Sequence, residues 1–189
     1  DNGKASMCGM KSETGENWIT YHHNWFDHSD SRMARVRTMS VHMYNNYYQH
    51  CDVYGVGATC GSSVFMESNY FDAVKRPIMS SLQGTDAKGD GTFSGEKGGL
   101  IKAYGNVFAN KPDNFSYIPY AENNTSFDAY EVSDPSEQVP TSVKTLVGGT
   151  SYDNFDTNSS LMYAYAADKA EDVPSIVEGF YGAGRLNHG

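Results

Sequence analysis

Three arginines, Arg32, Arg35 and Arg37, stand within six positions of one another in an acidic chain. A planar guanidinium fork suits a carboxylate, which it binds through two charge-assisted hydrogen bonds. Arg32 falls in a polar stretch, in a loop or at the mouth of a strand, and Arg37 falls where strand patterning resumes. Such a pair converges on one outer groove. The plainer alternative is surface ion pairing with Asp27 and Asp30, which are close in sequence. His22 and His23 raise a metal question. On a strand they point to opposite faces and share no ligand, which leaves His23 as a corner hydrogen-bonding residue. No nucleophile elbow is present and no acidic pair stands out by spacing. The chemistry is carried by cations.

The surrounding chain has 189 residues and a net charge of −9. That length suits one domain with a substantial core. The charge argues against a protein that coats nucleic acid through its overall field. No apolar run reaches membrane-spanning length. Cys8, Cys51 and Cys60 fit neither a CxxC nor a zinc spacing. They read as buried or incidental thiols, with a Cys51–Cys60 disulfide as the alternative. The opening "DNGKASMCG" has no initiator Met and reads like the middle of a longer chain.

The elements that must position the arginines form a repeat. Asn24-Trp25-Phe26 recurs as Asn46-Tyr47-Tyr48, Asn69-Tyr70-Phe71 and Asn106-Val107-Phe108, with successive asparagines 22, 23 and 37 positions apart. A run alternating with period two precedes each copy. A unit of about 22 residues without a helix pattern suits one coil of a parallel β-helix. Coils stack one strand spacing apart, about 4.8 Å. A corner Asn in each can bond the coils above and below, and Phe26, Tyr48, Phe71 and Phe108 can stack inside. Turns between antiparallel hairpins are the alternative. The wider third interval places an insertion of roughly 14 residues within positions 74 to 99. Within it, "DAKGDG" fails as a calcium loop, because its twelfth position is Lys97, and reads as solvated.

The repeat fades near residue 110. The chain therefore divides into coils over 1–110, carrying the groove, and a tail over 111–189 packing on the same β-helix. Two stretches of the tail have Pro near the start and Gly at the end, Val139 to Gly149 and Asp172 to Gly184, and read as short helices.

The motifs Thr20 to Phe26, Arg32 to Arg37, Val41 to Tyr48 and Glu67 to Phe71, in this order and spacing, resemble the family 1 pectate lyases. The resemblance covers roughly residues 1 to 110. It implies an all-β, right-handed parallel β-helix and a secreted, monomeric enzyme, extracellular or periplasmic. The substrate it implies is polygalacturonate, the pectin backbone, cleaved by calcium-assisted β-elimination to 4,5-unsaturated galacturonides. Position by position, Arg32 matches the family's base. Arg37 matches the arginine that holds substrate carboxylate, and Lys4 matches the substrate-binding lysine. Arg35 is not implied as catalytic. A guanidinium is ordinarily protonated far above neutral pH, so a base role implies cationic neighbours (Lys4, Arg37 and bound Ca2+) and an alkaline optimum. Ala34 stands where the family has Pro, and the acidic ligands of the family's calcium are expected upstream of Lys4. Two other readings stay open: a non-catalytic galacturonan-binding solenoid, and a lyase acting on methyl-esterified pectin.

Overall fold

The computed structural model describes residues 3–88 and 93–181. Each repeat folds into one coil of three short strands. The first coil holds β1 (Met7–Cys8), β2 (Trp18–His22) and β3 (Trp25–Asp27). The second holds β4 (Arg35–Arg37), β5 (Ser40–Tyr44) and β6 (Tyr47–Cys51). The third holds β7 (Val56–Thr59), β8 (Ser63–Glu67) and β9 (Tyr70–Val74). The fourth holds β10 (Ile78–Ser80), β11 (Leu100–Tyr104) and β12 (Val107–Ala109). Equivalent strands pair in parallel to give three sheets, β1-β4-β7-β10, β2-β5-β8-β11-β13 and β3-β6-β9-β12, with β13 (Tyr130–Glu131) added beside β11. The fold is an all-β parallel β-helix.

Register follows the alternation. Ile19, Val41, Val64 and Ile101 align across four coils, and the last three are buried in the central core. The corner between the second and third sheets is a left-handed residue followed by the repeating asparagine. His23, Asn45, Ser68 and Gly105 all have positive φ there. Nδ2 of Asn24 donates to Oδ1 of Asn46 at 2.9 Å, Asn46 to Asn69 at 3.0 Å and Asn69 to Asn106 at 2.9 Å. The same oxygens accept the backbone N–H of the preceding rung. Otherwise orphaned turn groups are thereby satisfied. Inside, Phe26 stacks on Tyr48 with centroids 5.2 Å apart, and Tyr48 on Phe71 at 4.5 Å. Phe108 ends the column, tilted against Phe71.

The excursion from the fourth coil is confined to residues 81–99, because Ile78–Ser80 joins the first sheet. Of the stretch Asp86 to Gly91, read as solvated, Ala87 is exposed and residues 89–91 lie outside the described residues. Asp86 is buried in a 3-10 turn, and Phe93 and Glu96 are buried too. Phe93 lies against Tyr54 and Met79 on the outer face of the first sheet. Gly57 permits this, since a Cβ there would fall 2.6 Å from the Phe93 ring. Asp128 of the tail pins the base of the insert, accepting from the N–H and hydroxyl of Thr85, both at 3.0 Å, and from the N–H of Ile118 at 2.8 Å.

The tail lies along the outside of the second and third sheets. The expected helix over Val139 to Gly149 does not form. Its backbone groups serve turns instead: Thr145 N donates to Thr150 O, and Leu146 N to the Gln83 side chain. Val139 and Val143 are drawn into a cluster with Phe65, Leu100 and Phe127. The second expected helix is real but short. Helix α1 (Val173–Ile176), with Pro174 in its first turn, continues as a wider turn over Val177–Tyr181. Val173 and Val177 cover Tyr47, flanked by Trp25 and Tyr70. Residues 182–184 of that expectation lie outside the described residues. All three cysteines are free, so the disulfide alternative falls.

Candidate active site

The outer face of the first sheet, at its first two coils, gathers the cations. Lys4 is bridged in parallel to Ser31, immediately before Arg32. Ser6 N donates to the Arg32 carbonyl at 2.7 Å, and Met33 N donates to the Gly55 carbonyl at 2.8 Å. Arg32 is thus held on the middle of three stacked segments. Its φ of 66° turns the chain just before β4 begins. The side chain is half-buried and forms no ion pair among the described residues. Lys4 is exposed. The expected pairing of the arginines with Asp27 or Asp30 does not occur among the described residues; Asp27 pairs with His28.

On β4, Val36 faces the core while Arg35 and Arg37 face outward. Both meet Glu96 of the insert. Arg37 donates through Nε to Oε2 at 3.1 Å and through Nη2 to Oε1 at 2.7 Å. Arg35 Nη2 lies 2.8 Å from Oε2, and Lys11 Nζ lies 3.1 Å from Oε1. Burial opposes the Glu96 charge, but hydrogen bonds from Arg37, Arg35, Lys11 and Thr59 prevail and hold its carboxyl far below the usual carboxylate range. The hydrogen bond to Glu96 also raises Arg37 above its ordinary value. Arg35 is fully buried and donates to the Phe93 carbonyl at 3.0 Å, with the guanidinium 5.3 Å over the Phe93 ring. Tyr54 feels the charges of both Arg35 and Arg32. Burial pushes its phenol up to about 12, against the pull of both guanidinium groups.

The structure therefore sets the backbone of Lys4 beside Ser31, next to Arg32, and gathers Arg37, Arg35 and Lys11 on Glu96. It adds Glu96 and Tyr54, which the sequence did not single out, and shows Arg35, present in the arginine cluster but not implied as catalytic, paired with Glu96. Glu96 has no local signal, since its partners come from a different coil. The two histidines differ from expectation. His23 leaves the strand at φ 52°, so its Nδ1 meets that of His22 at 3.0 Å, and its Nε2 lies 2.9 Å from Asp168 of the tail. His23 as a corner hydrogen-bonding residue stands.

Among the described residues, no group of three or more His, Cys, Asp or Glu side chains is placed to hold a metal ion. The carboxylate within the arginine cluster is taken up by ion pairs. These residues do not form a calcium cage, and the chemistry available to them is cationic, suited to gripping carboxylates.

A cationic face on stacked parallel coils is the setting in which the comparisons fall. The pectate lyase family model matches residues 2–168, and the chain belongs to that family. It is 35% identical over 81 residues to a pectate trisaccharide-lyase of Bacillus licheniformis, covering 42% of this chain and 24% of that protein. It is 27% identical over 183 residues to pectate lyase C of Dickeya chrysanthemi, covering 96% and 41%. Its fold matches pectate lyase C from Erwinia chrysanthemi, solved at pH 9.5 with 30 mM Ca2+, with a TM-score of 0.60 at 22% identity, covering 97% and 44%. The chain spans less than half the length of these curated relatives.

Proposed function

We propose that this chain carries catalytic residues of a secreted pectate lyase that cleaves polygalacturonate by β-elimination. Arg32 takes the C5 proton of a galacturonate. The electron pair left at C5 forms the C4–C5 double bond as the C4–oxygen bond breaks, and the departing oxygen takes a proton from solvent. Arg37 and Lys4 hold uronate carboxylates. The observation that carries this reading is the Lys4–Ser31 bridge, which sets a lysine beside Arg32 on the coil next to Arg37. Cationic neighbours favour the neutral form of a base and stabilise the negative charge that develops beside the uronate carboxylate. Calcium belongs to the proposal as a cofactor held by groups outside the described residues. Bound there, it would neutralise uronate charge.

The test is ultraviolet absorbance of unsaturated product from polygalacturonate at alkaline pH, using the complete protein with calcium and then with chelator. Absorbance that needs calcium and is lost in Arg32→Lys supports the reading. A folded protein that binds the polymer and yields no absorbance is a galacturonan-binding solenoid. A preference for methyl-esterified polymer without calcium overturns the substrate assignment.

A further inference from the structure

The guanidinium of Arg37 has five N–H donors in one plane. Glu96 takes one edge of it, through Nε and Nη2. That leaves three donors, of which one on Nη1 and the second on Nη2 form a parallel pair at the end of the fork. Among the described residues Nη1 has only Met7 Sδ, at 2.9 Å, and Met7 is exposed. A thioether is a weak acceptor on a flexible stem, which a carboxylate displaces.

We propose that Glu96 is a positioning residue for Arg37, gripping one edge of the guanidinium so that the other edge is presented to a substrate uronate carboxylate. This rests on the galacturonan reading of the site. Glu96 is itself anchored. Its side chain is buried, and its carboxylate also holds Arg35 and Lys11. Its backbone N–H donates to the Phe93 carbonyl at 3.3 Å, and Ser81 donates to its carbonyl at 2.5 Å. A long cationic side chain that is already ordered loses less rotamer freedom on binding, so the benefit appears in affinity. Arg35 contributes through Glu96 and has no path to the substrate of its own, because it is covered by Phe93.

The opposite role predicts the opposite result. Were Glu96 a competitor occupying the substrate's place, its removal would free Arg37 and tighten binding. The decisive experiment measures KM and kcat on polygalacturonate, and Kd for trigalacturonate by calorimetry, in the complete protein and in Glu96→Gln, Glu96→Asp and Arg35→Met/Glu96→Gln. In Glu96→Gln we expect KM and Kd to rise about tenfold and kcat to change less than about threefold. Glu96→Asp keeps the charge and is expected to recover most of the affinity. The double variant removes the stranded Arg35 charge, so its thermal stability should return while the affinity defect persists. If Glu96→Gln does not fold, the double variant and Glu96→Asp still read the effect. Unchanged or lowered Kd on removing Glu96, or a defect that vanishes in the double variant, overturns the proposal. A wild-type protein that binds no trigalacturonate overturns the galacturonan reading itself.

Discussion

Arg37 on β4 and Glu96 in the insert are 59 positions apart, and they meet fork to fork at 3.1 and 2.7 Å. The insert is therefore part of the groove's construction. Whatever holds Phe93 and Glu96 on the first sheet also sets the geometry of Arg37, a cation proposed to bind substrate.

That link makes Gly57 a sensitive position. A valine there would drive its Cβ into the Phe93 ring, at 2.6 and 2.7 Å, and into Tyr54 at 2.8 Å. Gly57→Val should destabilise the fold by about 1–3 kcal/mol, as overpacking does, and weaken galacturonate binding several-fold through Arg35 and Glu96. Melting curves and calorimetry on the same preparation check this. Native stability together with native affinity would separate the insert from the groove.

Arg32→Lys keeps the positive charge and loses the planar fork. If Arg32 is the base, kcat should fall by about 10²–10⁴, while Kd for trigalacturonate stays within a few-fold of wild type. Equal losses in kcat and affinity would assign Arg32 to carboxylate capture instead.

Asn46 is fully buried at the middle of the corner ladder. Its amide donates to the Tyr21 carbonyl and to Asn69, and its oxygen accepts from Asn24. Asn46→Ala should cost about 3–5 kcal/mol, because groups on both neighbouring coils lose buried partners. Calorimetric melting should show a transition lower by roughly 10 °C. A drop of only a degree or two would mean that the stacked aromatics alone hold the coils.

Stability should also depend on pH through two carboxyls of opposite sign. Burial pushes Asp128 up to about 7, against Thr85 and Ile118, which pull it down. An unfolded aspartate titrates near pH 3.9, so the native state holds this proton more tightly. Its contribution is full below about pH 4 and is lost as pH rises through about 7. Glu96, held low, contributes above the ordinary glutamate range of about 4.3 and loses that contribution as pH falls below it. Melting temperature should therefore decline from pH 5 to 8, and Asp128→Asn should flatten that decline. An identical slope in the variant would assign the decline to other groups.

The coils were legible because three independent signals coincide in each: period-two alternation, a corner asparagine and an aromatic two positions later. Phe26, Tyr48 and Phe71 stack as that pattern requires, and Phe108 packs tilted against Phe71. Lys4 was legible only through the family resemblance, and its backbone bridges Ser31, the residue before Arg32. What failed had competing local explanations. The Pro and Gly that frame Val139 to Gly149 also punctuate turns, and the buried valines there answer to Phe65 and Leu100 across space. Strand geometry sets His22 and His23 on opposite faces, but the left-handed corner at His23 brings their rings together. Glu96 was out of reach because its value lies wholly in partners from other parts of the chain.

The asparagine ladder counts coils, not residues. Its rungs are 22, 23 and 37 positions apart, yet each amide reaches the next oxygen at 2.9 to 3.0 Å. The lattice is indifferent to how much chain is spent between rungs, provided the chain returns to the corner in phase. Groove and scaffold can thus diverge at separate rates. The excursion over residues 81–99 can lengthen, shorten or change its chemistry while every strand keeps its register. Within this architecture, a new specificity is a matter of editing one detour.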